Sequence, residues 1–390
     1  MITPSKALKI IFEHAKPLGI EEIDMADSLG RVLAEKVYAD VDIPAFNRSA
    51  MDGFAINSKD VANVFKIIED IPAGYVPKKK IKFGQCARIM TGAMLPEGSD
   101  KVIMVEDTKP IFNSQFLILN FGNKSNISLQ GEDVKQGQLI LKKGTKIRPQ
   151  EAAMLATVGK TKIKVCRQPK VTVISTGSEL VEPAKKPKLG QIRNSNGSMI
   201  LLQLKRLGIS AKYLGIARDN FAATENLVRQ GLKEADVLIL SGGVSFGDYD
   251  FVEDVLKKCG VKILFNKVAI KPGKPTTFGV MGKKIVFGLP GNPVSVLVVF
   301  ELFVRPFIDK QVNHPAKNIF SGYKLLSDFK RKSVKREQYY PVVINNNGVS
   351  PIEFHGSAHM QALTIASGIM RVPSGKTFIK KGSQVDARPI

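Results

Sequence analysis

The sequence predicts a multidomain protein of α/β and β segments, built on a doubly wound, mostly parallel α/β domain. Three observations carry this expectation. From residue 169 onward, apolar strand-like runs alternate with helix-like stretches. From about 55 to 145 the chain shows only short alternating runs, separated by Gly, Asn and Pro. Residues 318–390 return to short strands and turns. Strand–helix alternation requires right-handed crossovers and a parallel sheet covered on both faces, whereas short alternating runs between turn residues read as β structure.

In chain order, residues 4–16 carry helical periodicity, and a second helix is expected near "ADSLGRVLAEKV", 26–37. "VDIPAFNRSAMDGFAI" (41–56) mixes Pro, Gly and Ser with apolar residues and reads as an extended entry into new structure. Runs such as "VFKIIEDI", "KVIMVEDT" and "FLILNF" follow as strands. "RPQEAAMLATVGK" (148–160) is a short helix, with Pro149 in its first turn and Gly159 at its C-terminal cap. Then come the strand 169–176, the helix 195–208 ending at Gly208, the strand 211–219, the helix 223–235 and the strand 236–241. The helix 248–260, the strand 284–289 and a long apolar helix from 292 to 308 complete the α/β part.

Composition narrows the function classes. Hydrophobic residues make up 44% of the 390 and charged residues 24%, as in ordinary globular proteins. No run of eighteen apolar residues occurs, so no membrane helix is expected, and the N-terminus lacks the pattern of a signal peptide. Cys86, Cys166 and Cys259 are few, odd in number and far apart, which fits a reducing cytoplasm and not a disulfide framework. The net charge of +23 favours anionic partners. The lysines are dispersed, however, and no nucleic-acid motif accompanies them.

Ligands of open parallel sheets bind outside the carboxyl ends of the strands. Three Gly-containing loops fall there: "STGSEL" (175–180), "SGGVSFGDYD" (241–250) and "GLPGNPVS" (288–295). Glycine lets backbone N–H groups approach an anion, and a following helix N-terminus favours negative charge. Gly177, Ser241, Gly242, Gly243, Ser245, Gly247, Pro290, Gly291, Asn292 and Pro293 are the candidate phosphate-binding positions. Glu179 and Asp250 are carboxylates at two strand ends, as Mg²⁺ or a metal oxyanion complex beside a phosphate would require. Capping reads the same residues differently. Asp250 and Glu253 have capping-box spacing, Asn292-Pro293 reads as N-cap and first-turn proline, and Glu179 could open a helix. Lys271 and Lys274, between Pro272, Gly273 and Pro275, form either a stiffened anion clamp or a solvated loop. Read locally, Asp52-Gly53 and Thr91-Gly92 are only turns.

Eight segments occur in order: "FNRSAMDGFAI", "RIMTGAMLPEGSDKVIMVED", "STGSEL", "GQIRNSNG", "SGGVSFGDYD", "AIKPGKP", "GLPGNPVS" and "GSAHMQALTIASGIMRVP". Together, over essentially the whole chain, they resemble the molybdopterin molybdenumtransferase family, the MoeA-like molybdenum insertases that include the gephyrin E domain. The resemblance implies insertion of molybdate into adenylylated molybdopterin, with Mg²⁺ and release of AMP. It implies four domains: a discontinuous linker domain (1–45 with 137–168), an inserted β-rich domain (46–136), an α/β molybdopterin-binding domain (169–315) and a C-terminal β-barrel (316–390). It further implies a cytoplasmic homodimer, served by an upstream molybdopterin adenylyltransferase and serving downstream molybdoenzymes or cofactor carriers, with neither nucleic acid nor membrane as partner.

Carried over by position, Asp52, Thr91, Glu179, Asp219 and Asp250 are the catalytic residues the resemblance implies, and Asp133 is a further acid. Lys271 and Lys274 match the family's basic loop, and Pro290 and Pro293 its paired prolines. The family's active cleft joins the α/β domain of one subunit to the N-terminal β-rich part of the other, which would give Asp52 and Thr91 a purpose. The chain departs from the family where arginines are common. It has Ser128 and Gln130 before "GED", Pro341 after the retained Arg336, and Gly356-Ser357-Ala358 in place of "GSG". Arg88, Lys101, His355 and His359 are the groups left to take the place of those arginines. Other readings are a scaffold or interaction protein of the same fold and a tungsten-specific insertase.

Overall fold

The computed structural model describes residues 1–111, 116–120, 124–243, 251–314, 320–332 and 335–390. Its helices are α1 (Pro4–His14), α2 (Pro149–Thr157), α3 (Ser195–Arg206), α4 (Phe221–Glu234), α5 (Val252–Lys258), α6 (Pro293–Val299), α7 (Arg305–Gln311) and α8 (Gln361–Ile365). A π-helical turn, Phe300–Val304, joins α6 to α7. The chain divides into two compact units. One comprises Met1–Ala34, Gly144–Arg148 and Ile163–Ile390; the other comprises Glu35–Lys143 and Pro149–Lys162.

The first unit is built on a six-stranded sheet. Its strand order is Ala211–Ala217, Val171–Thr176, Val237–Ser241, Lys284–Leu289, Pro275–Met281, Lys262–Lys267. The first four strands are parallel, and the last two are added antiparallel. Alternate residues of each central strand point to opposite faces, and both faces are covered. Val173, Ile239 and Phe287 pack with residues of α1, α3 and α6. Ile174, Leu238, Leu240 and Val286 pack with Val228 and Leu232 of α4 and with Val252, Val255 and Leu256 of α5. This two-sided burial is why these strands read as continuous apolar runs.

The antiparallel edge went unread in the sequence, which passed from the helix 248–260 directly to the strand at 284. Gly282, with φ +59°, turns Pro275–Met281 back onto Lys284–Leu289. The helix expected over 26–37 does not form. Only Met25–Asp27 makes a 3₁₀ turn, and Gly30 has φ +77°. Val32 and Leu33 instead pair with Lys146 and Val165, and both are buried. Tertiary pairing overrides helix propensity there.

The C-terminal part of this unit pairs Ser321–Lys324, Gln384–Pro389, Gly368–Val372, Glu337–Asn345 and Gly348–Pro351 in sequence around a ring. A Leu325–Val349 bridge closes it. Its interior holds Leu325, Val342, Val349, Met370 and Ala387. Ile270–Lys271 runs parallel to Glu337–Asn345, so the chain carrying Lys271 is anchored on this barrel.

The second unit holds another six-stranded sheet, ordered Lys101–Met104, Gly53–Ile56, Gln85–Ile89, Phe65–Ile71, Phe116–Leu119, Thr108–Ile111. A Cβ on Gly53 would collide with the Ile103 carbonyl of the neighbouring strand, so the position accepts only glycine. The helix α2 forms as expected, with Gly159 beyond it at φ +66°. Cys86, Cys166 and Cys259 are free thiols, and all are buried.

Candidate active site

Parallel register places the strand ends of the first unit level with one another. Ser175 pairs with Ser241, Ser241 with Leu289, and Thr176 with Ala217. The loops that follow these strands therefore emerge along one edge. They line a cleft of about 560 Å³ with Gly177, Glu179, Asp219, Ser241, Gly242, Gly243, Pro290, Gly291, Asn292 and Pro293. An adjoining pocket of about 450 Å³ carries Lys271 and Lys274 and shares Pro275, Pro290, Gly291 and Asn292 with the cleft. Ser245, Gly247 and Asp250 lie outside the described residues.

Local chemistry explains each wall. Gly242 and Gly243 have φ +92° and +63°, the left-handed region that glycine tolerates. A Cβ on Gly242 would strike the Thr176 carbonyl oxygen, and one on Gly243 would come within 2.5 Å of Val252. The glycine pair is thus required by close approach to the neighbouring strand and helix, a reason independent of any ligand. Gly177, at φ +148°, leaves room for Glu179 to fold back over its own loop; a Cβ there would lie 2.5 Å from Glu179 Oε2.

Glu179 starts no helix. It precedes the short strand Leu180–Val181, which pairs with Ile192–Arg193. Its exposed carboxylate has no cationic partner among the described residues. Asp219 is partly engaged. Its Oδ2 accepts the Ser178 N–H at 2.9 Å, while its own N–H donates to Ser178 Oγ at 2.9 Å, tying two strand-end loops together. Among the described residues, no three His, Cys, Asp or Glu side chains gather as a metal site.

Asn292 takes the N-cap position of α6 with Pro293 in the first turn, as the sequence reads, whereas the capping box of Asp250 and Glu253 lies partly outside the described residues. The Asn292 side chain makes no capping hydrogen bond. Its Nδ2 donates to Ser357 Oγ at 2.7 Å, and the Val294 N–H donates to the Ser357 carbonyl at 3.1 Å. Glu253 accepts from Asn266 Nδ2 at 3.0 Å.

The basic pocket is formed by Lys271, Lys274 and Arg336, none paired with a carboxylate among the described residues. The Lys271–Pro272 bond is cis. Arg336 Nη1 donates to the Ile270 carbonyl at 3.0 Å, fixing the guanidinium beside the lysine loop. The barrel supplies Phe354, Gly356 and Ser357 to this pocket and Ala358 and Met360 to the cleft. His355 and His359 stack on each other at 4.8 Å between ring centroids, and neither lines the cleft or the basic pocket.

Sequence reasoning passed over Arg193, Asn194 and Asn196, which complete one wall of the cleft. Asn194 caps α3 by accepting the Gly197 N–H, also accepts from Ser175 Oγ, and donates to the Tyr213 hydroxyl. Asn196 Nδ2 holds the Gly291 carbonyl at 2.6 Å. Asn194 before Ser195 is an N-cap signal legible in the sequence.

In the second unit, Asp52 Oδ1 accepts both the Thr91 N–H and the Thr91 hydroxyl at 2.7 Å. The Thr91 backbone bond, then its hydroxyl, hold the Asp52 carboxyl below its usual range, with Arg88 adding to the effect. Gln130, in the stretch before "GED", donates to Asp42 at 2.8 Å. Asp133 is exposed, and its N–H bonds the Ile43 carbonyl at 3.1 Å. Arg88 and Lys101 lie on the two strands that flank Gly53–Ile56 in the sheet.

Comparison with known proteins agrees along the chain. Residues 2–159 match the family model of the MoeA N-terminal region (domain I and II), 172–310 that of a probable molybdopterin binding domain, and 324–390 that of the MoeA C-terminal region (domain IV). A molybdopterin molybdenumtransferase of Staphylococcus epidermidis is 38% identical over 397 residues, covering 99% of this chain and 94% of the relative. One of Bacillus subtilis is 36% identical over 399 residues, covering 98% and 93%. The crystal structure of a molybdopterin biosynthesis MoeA protein from Pyrococcus horikoshii superposes with a TM-score of 0.80 at 32% identity, covering 100% of this chain and 99% of that one.

Proposed function

The chain belongs to the MoeA family of molybdopterin molybdenumtransferases, transferases of molybdenum cofactor biosynthesis, and from that premise we propose that it takes adenylylated molybdopterin and molybdate, joins the metal to the pterin dithiolene and releases AMP. One observation carries this reading. A cleft bearing two carboxylates adjoins a pocket bearing three cations with no carboxylate partner among the described residues, with Pro275, Pro290, Gly291 and Asn292 common to both. An oxyanion is held by cationic and N–H donors, so molybdate belongs beside Lys271, Lys274 and Arg336. The pterin nucleotide belongs in the larger cleft, its phosphates against Gly242, Gly243 and the loop 290–293.

Magnesium fits the acidic wall. It binds through one or two carboxylates together with substrate phosphates and retained waters, and Glu179 lines the cleft without an ion pair among the described residues. Glu179 and Asp219 are the described residues to hold it; when bound it supplies charge neutralisation to the phosphoanhydride. Asp219 also keeps the 177–179 loop in place through Ser178. Assembly as a homodimer, a part for Asp52 and Thr91 in the reaction, and exchange with an upstream adenylyltransferase and downstream molybdoenzymes rest on the family resemblance. A cytoplasmic setting accords with three buried free thiols. No helix among the described residues is long and apolar enough to cross a membrane.

The test is AMP release from adenylylated molybdopterin, with and without molybdate and Mg²⁺. We expect release that requires both. Lys271→Met should raise the molybdate concentration needed, and Glu179→Gln should weaken the response to Mg²⁺. Release with tungstate but not molybdate would reassign the metal. Release indifferent to either oxyanion would overturn the insertase reading.

A further inference from the structure

A second cavity, of about 690 Å³, shares only Arg336 with the two pockets of the candidate active site. Volumes of this order suit small organic ligands. One side is apolar: Leu8 and Phe12 of α1, Leu302, Pro306 and Phe320. The other side carries an excess of cations. Arg388, only 3% exposed, lines the cavity. It donates through Nη1 to the Glu301 carbonyl at 2.8 Å and through Nη2 to the Glu301 carboxylate. That carboxylate is already shared with Arg206 and Arg305. The Arg388 Nε–H is itself buried and has no acceptor among the described residues.

The remaining charges do not cancel the excess. Glu337 is the one acid lining the cavity among the described residues, and it is committed to Arg371 and to the Tyr339 hydroxyl. Lys335 also lines the cavity and has no carboxylate partner among the described residues. Thr3, Pro4 and Ser5 bring the positive end of α1, a helix of 11 residues, to the same walls. A wall with more cations than carboxylates favours an anionic ligand. The apolar side asks for a hydrocarbon body attached to that anion.

We propose that this cavity is a binding site for a small amphipathic carboxylate, its carboxylate toward Arg388 and Lys335 and its apolar body against Leu8, Phe12 and Phe320. Nothing in this proposal depends on the reaction at the strand ends.

Isothermal titration of the full chain with 2-naphthylacetate, 2-naphthylacetamide and inorganic phosphate tests it. The carboxylate should bind at least about tenfold more tightly than either the neutral amide or phosphate. Arg388→Met should abolish that preference. Because Arg388 also holds Glu301, two variants that leave the Glu301 bonds intact are measured alongside. Leu8→Trp, which fills the apolar end, should weaken the carboxylate by about tenfold or more, and Lys335→Met should reduce its advantage over the amide. Equal binding of amide and carboxylate, phosphate as tight as the carboxylate, unchanged affinity in Leu8→Trp, or no binding in the millimolar range would each overturn the proposal.

Discussion

A carboxylate that accepts two hydrogen bonds from one residue is held in its ionised form, and Asp52 is such a group. Both bonds come from Thr91, at 2.7 Å each, and they keep its carboxyl below the usual range. For an acid whose folded value is depressed, the associated stabilisation is full above the unfolded value, about 3.9 for aspartate. It is lost as pH falls through the lower folded value. Thr91→Val removes the hydroxyl bond and leaves the backbone bond. The Asp52 titration followed by carbon NMR should then move up toward the ordinary aspartate value while staying below it. An unmoved titration would assign the depression to the backbone N–H and Arg88 alone. Asp52 and Thr91 each read as a turn in the sequence because they are 39 residues apart and meet only across the sheet. The glycines at 242–243 were legible as a loop, but the close approach to Thr176 that demands them was not.

At the scale of elements, α3 depends on one side chain for its start. Asn194 accepts from the Gly197 N–H and from Ser175, and it donates to Tyr213. Burial, then the hydrogen bond to Glu182, push the Tyr213 hydroxyl up to about 12. Asn194→Ala removes a cap, typically worth about 1 kcal/mol. It also takes the acceptor from the buried Ser175 hydroxyl, about 1–3 kcal/mol more when a group is left unsatisfied, and one of two partners from Tyr213, which keeps Glu182. Urea unfolding should show a loss of about 2–4 kcal/mol, and in Tyr213→Phe the same substitution should cost measurably less. Equal losses in both backgrounds would mean the two side chains act independently. The alternating helices and parallel strands were legible because each strand is buried on both faces. The antiparallel strands 262–267 and 275–281 were hidden behind a Pro- and Gly-rich segment. The helix expected over 26–37 failed because its apolar residues were needed for bridges to Lys146 and Val165.

At the scale of the whole molecule, the net charge of +23 surrounds a site proposed for anions. Charge of one sign raises the encounter rate of an oppositely charged ligand and is screened by salt, with a Debye length of about 10 Å at 0.1 M. The association rate of an adenylylated pterin should therefore fall steeply between low and moderate ionic strength in stopped-flow measurements, with dissociation changing much less. A salt-independent rate would confine the electrostatics to the pocket lysines. The strand-end loops were legible in the sequence because parallel topology dictates where ligands bind. The barrel's share was not: Ser357 reaches Asn292 from 65 residues away, and no local pattern announces that return.

The buried thiols have a practical consequence. Cys86, Cys166 and Cys259 are 0%, 2% and 7% exposed, and burial pushes the Cys86 thiol up to about 12. Alkylating dyes attack thiolates that solvent can reach, so the folded chain presents them with almost no target. A cysteine introduced at Ile192, 56% exposed on the cleft wall, would therefore take the label nearly alone, with the native sulfurs left in place. A fluorophore there would report filling and emptying of the cleft in real time, without any chemistry having to occur.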